Sequence, residues 1–262
     1  MSVSTLTLAR HRSASARKKP RVRGSKHHYA VPVAQVLSVN VGRGGDKAWA
    51  KAGRTGIDKR PVDGPVTVRA PGPKRGGLGS GLVGDVIGDR RHHGGDRQAV
   101  YAFQREDLDR WERELGRPLR NGGFGENLTT AGIDLEQVRV GERWVVGDPA
   151  DPERSVELEA TDPRIPCRTF AGFLAERGWV KRFTADGRTG TYLAVVRAGS
   201  VRAGDEIVRT FLPDHDVTLG LVFRATTTRR DLLPRLLGAR EHLDAETLGM
   251  VERSQTVVLD DA

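Results

Sequence analysis

Apolar positions along this chain fall mainly into short, β-branched or alternating runs, and only a few stretches carry helical spacing. Residues 31–41 (Val-Pro-Val-Ala-Gln-Val-Leu-Ser-Val-Asn-Val) predict a first strand. Residues 65–69 predict a short one that opens on Pro65, where a missing N–H is tolerated. Further strands are expected over 98–103, 138–146, 156–160, 190–197 and 206–211, with Gly147-Asp148-Pro149 as a turn. The spacing of Leu108, Trp111 and Leu115 at i, i+3 and i+7 predicts a helix over 105–115. A second helix should follow Cys167, burying Phe170, Phe173 and Leu174. Many strands with few interposed helices point to a mostly β (α+β) protein built on a barrel or sandwich, not a doubly wound sheet.

The texture changes twice. Residues 1–30 are Ser- and Arg-rich and poor in large apolar residues, which predicts a disordered basic tail. From residue 217, short helices are expected over 219–225, 232–237 and 243–251, with Asp244 capping the last. The chain thus divides into a tail over 1–30, a β domain over 31–213 and a small C-terminal helical domain over 214–262.

Glycine and proline dominate residues 70–95, which predicts loops. Within them Gly79-Ser80-Gly81-Leu82-Val83-Gly84 spells G-x-G-x-x-G. That fingerprint must follow a strand and open a helix, whereas here Pro71 and Pro73 precede it and Gly88 breaks the segment after it. No G-x-x-x-x-G-K-[ST] is present either, so a nucleotide-binding fold is not expected.

The net charge of +9 changes the picture less than its size suggests. Eight of the 43 basic residues lie in residues 1–30, which hold no acid, leaving 35 basic against 34 acidic residues beyond. The excess belongs to the tail and not to a folded basic face, so nucleic acid is not an expected partner. No run nears the roughly 20 apolar residues that span a bilayer, so no membrane partner is expected and a cytoplasmic protein is. A single cysteine excludes an intrachain disulfide, a four-cysteine zinc site and a self-contained iron–sulfur cluster.

That cysteine is the main candidate for chemistry. Cys167 closes Asp-Pro-Arg-Ile-Pro-Cys between Arg164 and Arg168. A thiolate is both nucleophile and soft metal ligand, and the arginines place positive charge beside it; a buried structural cysteine is the alternative. His92 and His93, with Asp89 and Asp96, lack the three or four convergent ligands zinc requires, so one histidine is expected to donate a hydrogen bond into a cleft. Gly94 and Gly95 beside it would let a ligand approach the backbone.

Taken together, Asp58-Lys59-Arg60-Pro61-Val62, Gly84-Asp85, His93-Gly94-Gly95, Gly-Glu-Asn-Leu-Thr-Thr (125–130), Pro163-Arg164-Ile165-Pro166-Cys167 and Gly190-Thr191-Tyr192 resemble the MOSC domain. This is the domain also found at the C-terminus of molybdenum-cofactor sulfurases. The likeness is greatest to stand-alone bacterial MOSC proteins linked to 6-hydroxylaminopurine detoxification, which also carry a short helical C-terminus. The resemblance implies a β-barrel core that binds the molybdenum cofactor (molybdopterin), with Cys167 as the ligand to molybdenum. It makes Lys59, Arg90 and Arg164 candidates for the cofactor's anionic groups, and His93, Gly94, Gly95 and Asn127 candidates for its pterin. Pyridoxal phosphate is not expected. It further implies reduction of small N-hydroxylated compounds with electrons from a separate flavin or iron–sulfur protein. The alternative is a cofactor or sulfur carrier bearing a persulfide on Cys167. Where the bacterial relatives carry Pro-Asp-Lys after His-Gly-Gly, this chain has Asp96-Arg97-Gln98, which makes Arg97 a candidate to supply the missing charge.

Overall fold

The computed structural model describes residues 34–259; the tail over 1–30 and the start of the expected first strand lie outside the described residues. Twelve strands form among them. The first five are β1 (Gln35–Gly42), β2 (Gly45–Asp46), β3 (Arg54–Thr55), β4 (Lys59–Pro61) and β5 (Val66–Val68). Then come β6 (Val100–Gln104), β7 (Leu128–Ala131), β8 (Arg143–Gly147) and β9 (Ser155–Pro163). The last three are β10 (Thr191–Arg197), β11 (Gly199–Val201) and β12 (Ile207–Phe211). Eight of them make one sheet in the order β12-β8-β9-β10-β6-β7-β1-β4, antiparallel except for the β6–β7 pair. A parallel pair needs a crossover, and helix α1 (Arg105–Leu115) provides it.

The sheet curls without closing fully. β4 pairs only with Asn40, Val41 and Gly42, which leaves the start of β1 open. That start meets the approach to β12: Val36 N donates to the Asp205 carbonyl at 2.9 Å and Ile207 N to the Ala34 carbonyl at 2.8 Å. The result is a barrel-like core in an α+β fold, as expected. Its interior is filled by inward residues of the strands, among them Val36, Val100, Val146, Val156, Leu158 and Leu193. Val217, Leu219, Val222, Leu233, Leu236 and Leu243 from the C-terminal segment belong to the same apolar cluster.

That segment folds as α4 (Leu219–Thr227), a run of 3-10 turns over Arg230–His242, and α5 (Ala245–Arg253). The middle piece takes 3-10 form because Pro234 lacks the N–H an α-helical interior needs. Asp244 caps α5 as expected, accepting from Thr247 N at 2.7 Å.

A second, aromatic core lies outside the sheet. It joins α1, α2 (Arg168–Leu174) and α3 (Trp179–Asp186) through Phe103, Trp111, Phe124, Phe170, Trp179 and Phe183. Leu108 and Trp111 point into it as the helical spacing predicts. Phe170 meets Phe124, Trp179 and Phe183 edge-on with centroids 5.1–5.4 Å apart, the favoured arrangement for such rings. α3 was not expected: it spans eight residues and opens on Gly178, which carries no capping side chain. This packing fixes α2, and with it the residue at its start.

Candidate functional site

Cys167 is that residue. β9 ends at Pro163, and Pro166 again removes a backbone donor, so the chain leaves the sheet in extended form. Cys167 (φ −139°, ψ 166°) is the N-cap of α2, with its carbonyl accepting from Phe170 N at 3.0 Å. The thiol is half-buried and lines a cleft of about 90 Å³ that opens on a wider groove of about 480 Å³.

Three residues before it, Arg164 is buried (7% exposed) and lines the same cleft. Its guanidinium lies 3.9 Å from the Phe170 ring centroid and 5.0 Å from that of Tyr101, and it donates to the Phe124 carbonyl. No carboxylate pairs with it among the described residues. A guanidinium keeps its charge in proteins, and burying an unpaired ion costs several kcal/mol even after relaxation. Two ring faces offset part of that; an anion in the cleft would offset the rest.

The cleft wall behind Arg164 is a cross-strand ladder. Tyr101 on β6 stands opposite Tyr192 on β10, with ring centroids 5.1 Å apart. The Tyr101 hydroxyl donates to the Thr189 carbonyl at 2.8 Å. Burial raises both phenols above their ordinary range, so both are neutral donors at physiological pH.

Below the cleft sits a carboxylate hub. The Asp85 side chain is fully buried and ion-paired with Lys59. It also accepts from Ser80 Oγ at 2.6 Å, Gly42 N at 2.8 Å and Asn127 Nδ2 at 3.0 Å. Asn127 donates further to the Asn40 carbonyl (3.3 Å) and accepts from Tyr101 N (3.1 Å). Glu126 beside it, 0% exposed, accepts from Gly122 N, Phe124 N and Thr129 Oγ1 at 2.6–3.0 Å. The Gly-Glu-Asn-Leu-Thr-Thr stretch is therefore chiefly a scaffold that bolts β1, β6 and the Asp85 loop together.

His92 and His93 part company. His92 is exposed and pairs with Asp89 at 2.8 Å, whereas His93 turns into the cleft. Burial first, and the Arg164 guanidinium second, push the His93 imidazole down to about 4. It is neutral at pH 7 and offers one ring N–H and one acceptor. An unfolded histidine binds its proton near 6.5. Between pH 6.5 and 4 the unfolded chain therefore holds more protons, and this residue costs stability as pH falls through that window. A His93→Gln variant should show a shallower fall of Tm over that range, and NMR titration of the imidazole should give a midpoint near 4. A midpoint near 6.5 would mean that the ring is solvated.

Of the residues singled out from sequence, Lys59, His93, Gly94, Asn127, Arg164 and Cys167 line this one cleft. Arg90 lines an adjoining groove and donates to the Gly77 carbonyl. Gly94 and Gly95 serve neighbouring chain more than a ligand. Both have φ near +80°, and a Cβ would fall 2.7 Å from the Gly79 oxygen and the Lys74 nitrogen respectively. Lys59 spends its ammonium on Asp85, and Asn127 spends its amide on Asp85, Asn40 and Tyr101, so they shape the cleft floor. Arg97 does not replace a cleft charge: it forms a two-pronged pair with Asp162 at 3.0 Å and donates to the His242 carbonyl at 3.2 Å. Asp85, Tyr101 and Tyr192 gained no role from sequence. Only the Gly84-Asp85 and Gly190-Thr191-Tyr192 motifs marked two of them, and nothing in a linear pattern shows that they converge.

Residues 89–208 match the profile of the MOSC domain. The chain is 32% identical over 170 residues to YflK of Bacillus subtilis, covering 64% of this chain and 70% of that one. It is 29% identical over 179 residues to a protein of Gibberella moniliformis named "Reductase", of which the match spans only 28%. The crystal structure of YiiM from Geobacillus stearothermophilus superposes with a TM-score of 0.66 at 24% identity, over 84% of this chain and 98% of that one.

Proposed function

The chain belongs to the MOSC domain family, and from that premise we propose that it is a molybdenum-cofactor-dependent reductase of N-hydroxylated compounds such as N-hydroxylated purines. The observation that carries this reading is Arg164: a buried cation with no carboxylate partner among the described residues, in the cleft that holds the chain's one thiol. The donor set fits a dithiolene cofactor. Among the described residues no three His, Cys, Asp or Glu side chains come together as a metal site. A metal held by Cys167 must draw its other ligands from a ligand molecule, and a soft thiolate suits a soft-ligated metal. A relative named as a reductase supports the reaction class.

When bound, the cofactor supplies a metal that accepts an oxygen atom and exchanges two electrons. The overall change is R–NHOH + 2 e⁻ + 2 H⁺ → R–NH₂ + H₂O. Cys167 would anchor the metal, Arg164 would balance the negative charge of the cofactor, and Arg90 on the rim would meet its phosphate. Neutral His93 would orient a bound group through a hydrogen bond without adding a second positive charge beside Arg164. Tyr101 and Tyr192 would hold the Arg164 side of the cleft rigid. With one cysteine and no dinucleotide loop, the chain would take its electrons from a separate flavin or iron–sulfur protein, in the cytoplasm. No helix of the described residues is long and apolar enough to cross a membrane.

Protein purified from a host that makes the cofactor should carry stoichiometric molybdenum and pterin, and should reduce an N-hydroxylated purine with reduced methyl viologen. Absence of both metal and turnover would remove the reading. Arg164 gives a second test. An anion that binds the wild-type apoprotein at about 100 times its Kd stabilises it by about 2.7 kcal/mol. Arg164→Met, similar in length but uncharged, should abolish the rise in Tm given by molybdate or phosphate. An unchanged rise would place the anion elsewhere.

A further inference from the structure

The mouth of the cleft carries a concentration of positive charge that the folded chain as a whole does not. Beyond residue 30 the chain is almost neutral, with 35 basic against 34 acidic residues. Yet Lys74 and Arg75 on one loop and Arg90 and Arg91 on the next line a single groove of about 780 Å³, together with His92. Asp89 is the one carboxylate among its lining residues, and it is tied up by His92 and by Arg91 N at 3.1 Å. Arg75, Arg90, Arg91 and His92 are exposed. The two loops are pinned to each other, Lys74 Nζ donating to the His92 carbonyl at 3.3 Å and Gly95 N to the Gly79 carbonyl at 3.0 Å. The rim is thus a formed surface. It is continuous with the cleft, because Lys74, Arg91 and His92 also line the groove onto which Cys167 opens.

We infer that this rim is the docking surface for an acidic electron-donor protein carrying a reduced flavin or iron–sulfur centre. The inference rests on the reductase reading, in which two electrons must enter from another molecule near Cys167. Charge complementarity sets how often such partners meet: a focused basic patch steers an acidic protein to one orientation and raises its association rate by about ten- to a thousandfold. Electron-transfer encounters are small and transient, so a patch of this extent is sufficient. Exposed arginines and lysines at the rim of an interface act on the association rate more than on the dissociation rate. The basic tail is not needed for the argument.

The test uses the holoprotein with two acidic donors as probes, reduced flavodoxin and reduced plant-type ferredoxin, beside methyl viologen as a small cationic donor. With either protein donor, reduction of an N-hydroxylated purine should fall on the order of tenfold between low salt and about 0.3 M salt. Arg75→Glu/Arg91→Glu should lower the low-salt rate by about tenfold or more. Molybdenum content and viologen-driven turnover should stay the same. Arg230→Glu/Arg240→Glu, an equal charge change on exposed residues of the C-terminal segment, should have little effect. Equal losses in both double variants, or no transfer from either donor while viologen supports turnover, would overturn the docking proposal alone. No viologen-driven turnover in the molybdenum-loaded protein would remove the reductase reading, and the docking proposal with it. Salt-dependent duplex-DNA binding that the rim variant abolishes, with donor kinetics unchanged, would reassign the surface to nucleic acid.

Discussion

Cys167→Ala protein from a cofactor-synthesising host is expected to retain less than about a tenth of the wild-type molybdenum and to show no measurable reduction of N-hydroxylated purines. The thiol belongs to the chain's one cysteine, and loss of a direct metal ligand should cost at least as much as loss of its supporting partners, about 10- to 100-fold. Cys167→Ser should keep part of the metal but lose most turnover, because a hydroxyl is a harder and weaker ligand. Folding should survive both changes. Cys167 is half-buried at a helix start, its side chain caps nothing, and the α2 contacts rest on Phe170 and Leu174. A Tm within a few degrees of wild type would show that any lost activity is chemical. An active Cys167→Ala protein would refute the assignment.

The second large effect is structural and concerns a residue that touches no proposed cofactor group. Asp85→Ala should lower Tm by roughly 10–20 °C. Removing this carboxylate leaves Lys59 buried without its partner, a loss of about 3–5 kcal/mol, and strands the Ser80, Gly42 and Asn127 donors at about 1–3 kcal/mol each where water cannot reach them. Against a total stability of about 5–15 kcal/mol, that is a large fraction. Part of the loss comes from the abandoned charge, so Lys59→Met/Asp85→Leu should recover a good share of it. Thermal denaturation of the single and double variants by circular dichroism measures the coupling. A fall of only a few degrees in Asp85→Ala would mean that solvent reaches Lys59.

The two effects mark different layers of one site. In the proposed reading Cys167 would meet the ligand, and its loss should leave the chain folded. Asp85 is spent on protein contacts, and its loss should not. Arg164 stands between them, held by Phe170 and Tyr101 and without a carboxylate partner among the described residues, as the proposed role in binding an anion requires. Residues placed for binding often cost stability in the empty protein, and in the proposed reading the buried Arg164 guanidinium would be such a case.

Much was legible in the linear chain. Strands over β6, β9, β10 and β12, the α1 helix with Leu108 and Trp111 inward, and the Asp244 cap follow from local periodicity and local hydrogen bonding, which act over a few residues. The motifs named the family, and six of the candidate residues do line one cleft. Less legible was what each polar side chain does there. Lys59 and Asn127 read as ligand groups, but both turn to Asp85, 26 and 42 positions away. Arg97 read as a replacement charge, but it holds Asp162 and the His242 carbonyl, 145 positions off. Gly94 and Gly95 read as room for a ligand, and the room is filled by Gly79 and Lys74.

From the linear chain alone came the secondary elements, the family and the one residue able to serve as a thiolate ligand, because these depend on residue identity and near-neighbour spacing. Folding settled which charges are paired. Among the described residues Arg164 has no carboxylate partner and Lys59 has one, and the rim cations gather at one mouth because two successive loops are pinned to each other by hydrogen bonds. The energy of a charge depends on its burial and on the groups within a few ångströms of it, and neither quantity exists until the chain is folded.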